Sequence, residues 1–174
     1  MSTNATRKPK VGILMGSDSD LDVMREAEKR LDRLGIPYET RILSAHRTPQ
    51  KASKYAETAQ ERGLEVIIAG AGAAAHLAGA IAANTTLPVI GVPIDSSTLK
   101  GLDALLATVQ MPAGIPVATM AIGRAGAANA GIFAAQILAS RDQKITAKLA
   151  QFRKEMAAGV EESDRKLQGA KQSS

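Results

Sequence analysis

The chain has no cysteine, very few aromatic residues and only two histidines. The absence of cysteine excludes disulfides, thiolate catalysis and cysteine-based zinc sites, and it fits a reducing compartment. We therefore expect a cytoplasmic protein. Two histidines without cysteine also argue against a transition-metal site. Because aromatic residues make up only 2% of the chain, aliphatic side chains and methionine must fill the core.

The chain also lacks a concentrated basic region, although its net charge is +5 and its pI is about 9.6. Such a charge is compatible with nucleic-acid binding. However, the basic residues are spread along the chain apart from Arg7, Lys8 and Lys10, and few aromatic side chains are present to stack on bases. We expect a basic surface that attracts anionic metabolites, and no nucleic-acid partner.

Long hydrophobic runs are absent as well. The first apolar run, residues 11–15, is too short for the core of a signal peptide. Residues 66–83 carry no charge, but they include Gly70, Gly72, His76 and Gly79. A buried strand, a loop and a helix explain this stretch better than a membrane span does, so we expect no membrane partner.

Short apolar runs alternate with segments of helical periodicity, which is typical of βαβ units around a parallel sheet. At 174 residues the chain fits one α/β domain. We predict a tail at 1–9, an α/β core at 10–141, a C-terminal helix at 142–168 and a second tail at 169–174. The predicted strands are 11–15, 38–43, 66–69, 89–92 and 117–121; the predicted core helices are 21–34, 49–62, one from about 75, 102–109 and 125–139. The last of these is rich in small and apolar residues, which favours either a subunit interface or a central helix of the monomer.

Ligands of parallel sheets collect at the carboxyl ends of the strands, where the sequence places three candidate loops. In the first loop, residues 16–20, Gly16 allows a turn and Ser17 and Ser19 offer hydroxyls. The helix that follows presents free N–H groups to a phosphate. The alternative is a plain helix cap formed by Ser19 or Asp20.

The second loop, residues 44–49, follows the second predicted strand. His46 is suited to proton transfer near neutral pH, and Arg47 can bind phosphate oxygens through two N–H groups at once. The alternative is a surface His–Arg pair before a helix that starts at Pro49. Together with the first loop, this pair indicates a small enzyme that holds a phosphorylated metabolite and moves a proton on it.

The third loop, residues 70–76, consists mostly of glycine and alanine, which lets a ligand approach the backbone. The spacing of a dinucleotide fingerprint and the pattern of a P-loop are both absent. His76 is either a hydrogen-bonded histidine at a helix start or a ligand contact.

Several ordered motifs connect these loops to a known family. They are Met15-Gly16-Ser17-Asp18-Ser19-Asp20, the segment 44–49, Ile67-Ile68-Ala69-Gly70-Ala71-Gly72, Ala74-Ala75-His76-Leu77, Leu87-Pro88-Val89-Ile90-Gly91-Val92-Pro93, Val109-Gln110-Met111-Pro112 and Asn129-Ala130. Over residues 10–141 the chain resembles the class I N5-carboxyaminoimidazole ribonucleotide mutases, the PurE family of purine (IMP) biosynthesis.

The resemblance implies a three-layer α/β/α sandwich with a parallel flavodoxin-like sheet, usually assembled as a homo-octamer. It implies an isomerase that uses no metal and no cofactor. The reaction moves carboxylate from the exocyclic amine of a phosphorylated ribonucleotide to ring carbon 4, by decarboxylation and recarboxylation.

The resemblance also assigns roles to residues. His46 matches the catalytic acid and base, Arg47 with the serines 17, 19 and 44 would hold the 5′-phosphate, and Asp20 would hold the ribose hydroxyls. Gly72, Ala73 and His76 of the third loop are further candidates for substrate binding. Because carbon dioxide carries no charge to bind, we expect residues 70–75 and 111–112 to enclose it sterically.

Three residues depart from the family pattern. Leu21 replaces a usual tryptophan, Ala78 a usual proline and Ala73 a usual glycine. Ala73 bears most on the site, because glycine adopts backbone conformations that alanine disfavours. Two other functions stay open: a class II aminoimidazole ribonucleotide carboxylase that uses free carbon dioxide, and a non-catalytic flavodoxin-like binding module.

Overall fold

Five parallel strands form the centre of the protein in a computed structural model that describes residues 8–172. The strands lie in the order β2-β1-β3-β4-β5, which is the flavodoxin-like order. Their bounds are β1 Val11–Met15, β2 Tyr38–Ile42, β3 Val66–Gly72, β4 Val89–Ile94 and β5 Ala118–Thr119. The apolar runs of β1, β3 and β4 are buried because helices cover both faces of the sheet.

Within residues 8–172, six α-helices complete the three-layer α/β/α sandwich, and a short 3-10 helix at Asp18–Asp20 precedes the first of them. They are α1 Leu21–Leu34, α2 Pro49–Thr58, α3 Leu77–Ala82, α4 Leu102–Val109, α5 Gly123–Ala139 and α6 Gln143–Gln172. One core cluster packs α1, α5 and the start of α6 against the sheet, and the other packs α2 and α3 against the opposite face. Neighbouring residues of β3 point to opposite faces, so that Ile68 lies in the first cluster and Ile67 in the second.

Helix α5 is a central helix of the monomer, one of the two interpretations that its composition allowed. It packs closely on α1, and its small side chains make that approach possible. A Cβ atom on Gly131 would lie only 2.8 Å from the carbonyl oxygen of Ala27. The buried side of α5 therefore packs against other elements of the same chain.

Several predicted boundaries differ from the structure. Strand β3 continues to Gly72, because Gly72 pairs with Ile94 on the equally extended β4, so part of the predicted third loop is strand. Helix α2 ends at Thr58, and the chain then turns up to Gly63. Strand β5 has only two residues.

The C-terminal helix is longer than predicted. Residues 169–172, assigned to a tail, continue α6, because no proline interrupts this stretch. The rest of that tail, 173–174, and residues 1–7 of the predicted N-terminal tail lie outside the described residues. Within residues 8–172 no helix combines the length and hydropathy that a bilayer crossing requires.

Candidate active site

The three predicted loops meet in one cleft of about 360 Å³ at the carboxyl ends of β1, β2, β3 and β4. Eight of the nine predicted site residues line it, namely Ser17, Ser19, Asp20, Ser44, His46, Arg47, Gly72 and Ala73. The ninth, His76, contacts His46 at the edge of the cleft. The strand order explains this convergence, because β2, β1, β3 and β4 are consecutive neighbours in the sheet.

In the first loop, Ser17 caps a short 3-10 helix at Asp18–Asp20. The Ser17 hydroxyl accepts a hydrogen bond from the Ser19 N–H at 3.4 Å and donates one to Asp18 at 3.1 Å. Asp20 stands at the N-cap of α1 without a side-chain capping bond. Asp20 therefore occupies the N-cap position that the alternative predicted but forms no capping bond with its side chain, whereas Ser17 caps the preceding 3-10 helix.

Asp20 is the one buried acidic side chain among the described residues, at 6% exposure. Its carboxylate accepts a hydrogen bond from the Ser19 hydroxyl at 3.5 Å. Burial raises the pKa of the Asp20 carboxyl above its usual range. Hydrogen bonding to the Ser17 backbone and the Ser19 hydroxyl opposes this only in part, and so does the positive charge of Arg47. The site therefore holds a carboxylate in an environment that disfavours its charge.

Arg47 connects the first loop to the second. Its guanidinium donates to the carbonyl oxygen of Gly16 at 2.6 Å and to the Ser44 hydroxyl at 3.4 Å. Ser44 also accepts from the backbone N–H of Arg47 at 3.1 Å, and the Thr48 hydroxyl accepts from the N–H of Ser44 at 2.9 Å. These bonds use two of the five guanidinium N–H groups and leave the others available to an anion.

The two histidines of the chain face each other across the second and third loops. His46 Nε2 lies 2.9 Å from His76 Nδ1, and the rings are nearly perpendicular at 84°. One nitrogen must donate and the other accept, so the tautomers of the two rings are coupled. His76 is consequently both a helix-start residue and part of the site, since it precedes α3 without forming a side-chain cap.

Ala73 has a backbone φ of 50°, in the left-handed region that favours glycine. This is the position at which the resemblance led us to expect a glycine. An L-residue in this conformation carries a strain of about 1 kcal/mol or more. The expectation that alanine is disfavoured here therefore has a geometric basis.

Ser96 lines the cleft, although sequence reasoning did not single it out. It follows the end of β4 by two residues, and the rule that selected the other three loops applies equally to this strand end. Met111 was expected to help enclose the site, but its side chain does not line the cleft. It lies instead over α3, close to Gly79.

The arrangement combines a proton-transfer pair with an anion-binding arginine. Among residues 8–172 there is no group of three or more histidine or acidic side chains that could hold a metal ion. His46, Arg47 and His76 are all exposed in the single chain, so the cleft is open on one side. It can bind a phosphorylated molecule and exchange a proton with it.

Comparison with known proteins adds independent findings. The family model of AIR carboxylase matches residues 10–159. The N5-carboxyaminoimidazole ribonucleotide mutase of Vibrio vulnificus is 60% identical over 151 residues, covering 87% of this chain and 94% of the relative. The mutase of Pyrococcus horikoshii is 57% identical over 163 residues, covering 94% and 91%. The crystal structure of Treponema denticola PurE, at 29% identity, superposes with a TM-score of 0.82 and covers 91% of this chain and 98% of that one.

Proposed function

The chain belongs to the AIR carboxylase family, and we propose that its cleft carries out the reaction for which its relatives are named, that of an N5-carboxyaminoimidazole ribonucleotide mutase. This is an isomerisation in purine biosynthesis. The observation that carries the proposal is the pairing of His46 with His76 at 2.9 Å beside Arg47, in one cleft at the strand ends.

The phosphate end of the substrate lies at the first two loops. Arg47 binds the 5′-phosphate with its remaining N–H groups, and the hydroxyls of Ser17, Ser19 and Ser44 assist it. The guanidinium is already held by Gly16 and Ser44, so little conformational entropy is lost when the anion arrives. Asp20 accepts hydrogen bonds from the ribose hydroxyls.

His46 donates and later accepts the one proton that the reaction requires. Protonation of the carbamate nitrogen breaks the N–C bond and releases carbon dioxide. The electron-rich ring then forms a new C–C bond from carbon 4, and this carbon gives its proton back to His46. One proton is consumed and one returned, so the sequence is a net isomerisation. His76 holds the tautomer of His46 through the bond between them.

Carbon dioxide has no charge to bind, so the protein must confine it sterically. The backbone of Gly72, Ala73 and Ala74 forms one wall of the cleft. The opposite side is open in the single chain. A neighbouring copy is the simplest cover, which connects confinement to assembly.

We propose a homo-octamer in the cytoplasm. Leu99, Leu102 and Leu106 are roughly half or more exposed on and before α4, an arrangement that favours a covered interface. Beyond Phe152, α6 carries further exposed apolar side chains, including Val160. A phosphorylated substrate does not cross membranes unaided, which supports the same compartment as its synthesis. Sedimentation should give a large symmetric assembly, and a stable monomer would contradict it.

One experiment separates this function from its alternatives. The enzyme receives unlabelled carbamate substrate in labelled bicarbonate, and the label in early product is measured. A mutase keeps the carbon dioxide that it releases, so we expect little label. Extensive labelling, while substrate is abundant and not decomposing, would favour the class II carboxylase. Absence of turnover would favour a binding module. The identity to several relatives named as mutases supports the first outcome.

A further inference from the structure

We propose that Ser96 is a further substrate-contacting residue, whose hydroxyl binds the carboxylate while it moves from nitrogen to carbon. This inference rests on the proposed function. It adds to the site a fourth strand-end loop, the one after β4, and gives it a role distinct from phosphate binding.

The position of Ser96 follows from the end of β4. The backbone N–H of Ser96 donates to the carbonyl oxygen of Ile94 at 3.0 Å, which turns the chain directly after the strand. The turn leaves the side chain on the wall of the cleft. Within residues 8–172 its hydroxyl makes no hydrogen bond, so the donor is available to a ligand.

The absence of a side chain at Gly72 leaves room for the Ser96 hydroxyl. A Cβ atom at position 72 would overlap the Ser96 Oγ and lie only 2.8 Å from the Ser96 Cβ. The φ of Gly72 is not in the left-handed region, so backbone conformation does not explain the glycine. Gly72 lacks a side chain because the side chain of Ser96 packs against the backbone of Gly72 and fills that space.

The distance across the sheet separates Ser96 from the phosphate loops. The first and second loops follow β1 and β2, whereas Ser96 follows β4. With about 4.8 Å between neighbouring strands, β4 lies about 10 Å from β1 and about 14 Å from β2. A ribonucleotide held at Arg47 therefore points its imidazole ring, which carries the carboxylate, toward β3 and β4.

The chemistry of a hydroxyl suits this end of the substrate. It donates to a carboxylate oxygen before the N–C bond breaks and after the C–C bond forms, and it adds no charge that would compete with Arg47 for the phosphate. A donor that keeps its place throughout also holds the released carbon dioxide near carbon 4. Ser96 therefore affects how often carbon dioxide escapes.

The test compares Ser96→Ala with the matched control Ser97→Ala. The Ser97 hydroxyl accepts from the N–H of Leu99 at 3.1 Å and does not line the cleft. Each variant receives unlabelled carbamate substrate in labelled bicarbonate. We expect Ser96→Ala to lower kcat/KM by about tenfold, the effect of losing one hydrogen bond to a charged group. We also expect it to raise the labelled fraction of early product severalfold, and Ser97→Ala to match the wild type in that fraction.

The label is read together with thermal unfolding, because a loosened cleft wall would also let carbon dioxide escape. We expect both serine variants to unfold at the wild-type temperature, so that a raised labelled fraction in Ser96→Ala alone reports the lost contact. If Ser96→Ala leaves the labelled fraction at the wild-type value, the inference is overturned, whatever its rate. If the wild type itself takes its carboxylate from solution, the proposed function fails first. A second variant, Gly72→Ala, should also raise the labelled fraction, because it displaces the same hydroxyl.

Discussion

The cleft at the carboxyl ends of the strands has about half the volume of a second cleft at their amino ends, about 360 Å³ against 720 Å³. The larger cleft is lined by residues that precede β1, β2 and β3 and by residues around the start of α6. They are Lys8, Lys10, Leu34, Gly35, Ile36, Pro37, Glu65, Leu138, Arg141, Asp142, Lys144, Ile145 and Lys148. It contains more cations than the smaller one but neither histidine. Volume and positive charge alone would therefore select the opposite end of the sheet from the candidate site.

The two clefts differ in what their charged groups do. In the larger one, Lys10 pairs with Glu65, Lys148 donates to the carbonyl oxygen of Leu34 at 2.7 Å, and Asp142 accepts from the N–H of Lys144 at 2.9 Å. The Lys148 contact docks α6 on the end of α1, and the Asp142 contact caps the start of α6. In the smaller one, hydrogen bonds hold the guanidinium of Arg47 and the imidazole of His46 in place. Other N–H groups of Arg47 and the second ring nitrogen of His46 remain unused. The comparison indicates that preorganised groups with unused hydrogen-bonding capacity mark a site.

His46→Asn tests the smaller cleft most severely. Asparagine can form a hydrogen bond but cannot transfer a proton, so we expect turnover to fall by about 10²–10⁴-fold or more. Affinity for the substrate should stay within about tenfold. The measurement is kcat together with binding of the substrate, and near-normal turnover would remove His46 from the mechanism.

Arg47→Ala and Arg141→Ala compare one arginine from each cleft. We expect Arg47→Ala to weaken binding of the phosphorylated ligand by about 2–5 kcal/mol if the phosphate is largely desolvated, and binding of the dephosphorylated nucleoside much less. Arg141→Ala should change neither. Titration calorimetry with both ligands measures the difference, and equal losses for the two ligands would show that Arg47 does not bind the phosphate.

Asp20→Asn tests whether the buried charge of Asp20 in the smaller cleft lowers the free energy of unfolding. Burial raises the pKa of Asp20, so the folded state binds its proton more tightly than the unfolded state does. The free energy of unfolding should therefore fall as pH rises from the ordinary aspartate pKa through the raised one, and the cost is fully present at pH 7. We expect Asp20→Asn to be more stable than the wild type at pH 7, with a smaller difference near pH 3, and to bind substrate more weakly. Urea unfolding at both pH values provides the check, and a less stable variant at pH 7 would contradict it.

Ala73→Gly should relieve the left-handed strain in the wall of the cleft. The gain from removing the Cβ exceeds the entropy cost of glycine, and we expect about 0.5–1 kcal/mol of added stability. Ala74→Gly is the matched control, since Ala74 has no positive φ and should lose stability by a similar amount. Thermal unfolding of both variants should move in opposite directions; equal losses would mean that position 73 carries no strain.

Lys10→Ala should have the smallest effect. The pair with Glu65 is about half exposed, so its loss should cost less than about 1 kcal/mol and leave kcat/KM unchanged. Unfolding and steady-state kinetics of this variant are the measurements. A large loss of activity would assign a functional role to the larger cleft and reverse the comparison.

Much of the fold could be predicted from local sequence patterns. Strand β1 and helix α4 have the predicted bounds, because an apolar run and an uninterrupted amphipathic stretch are each read within a few residues. The family and its reaction followed from the ordered motifs, and the relatives confirm both. Boundaries such as the end of β3 were missed, because pairing with β4 extends that strand beyond its apolar residues.

The sequence by itself determined the elements, the family and the residue types at each strand end, since these depend on neighbours along the chain. Only the tertiary structure decided which side chains meet. His46 and His76 are thirty positions apart, and they touch because β1 alone lies between β2 and β3 in the sheet. Ser96 reaches the cleft because Gly72 leaves room on the adjacent strand. Such contacts depend on strand order and on packing volume across the sheet, and no local pattern encodes either.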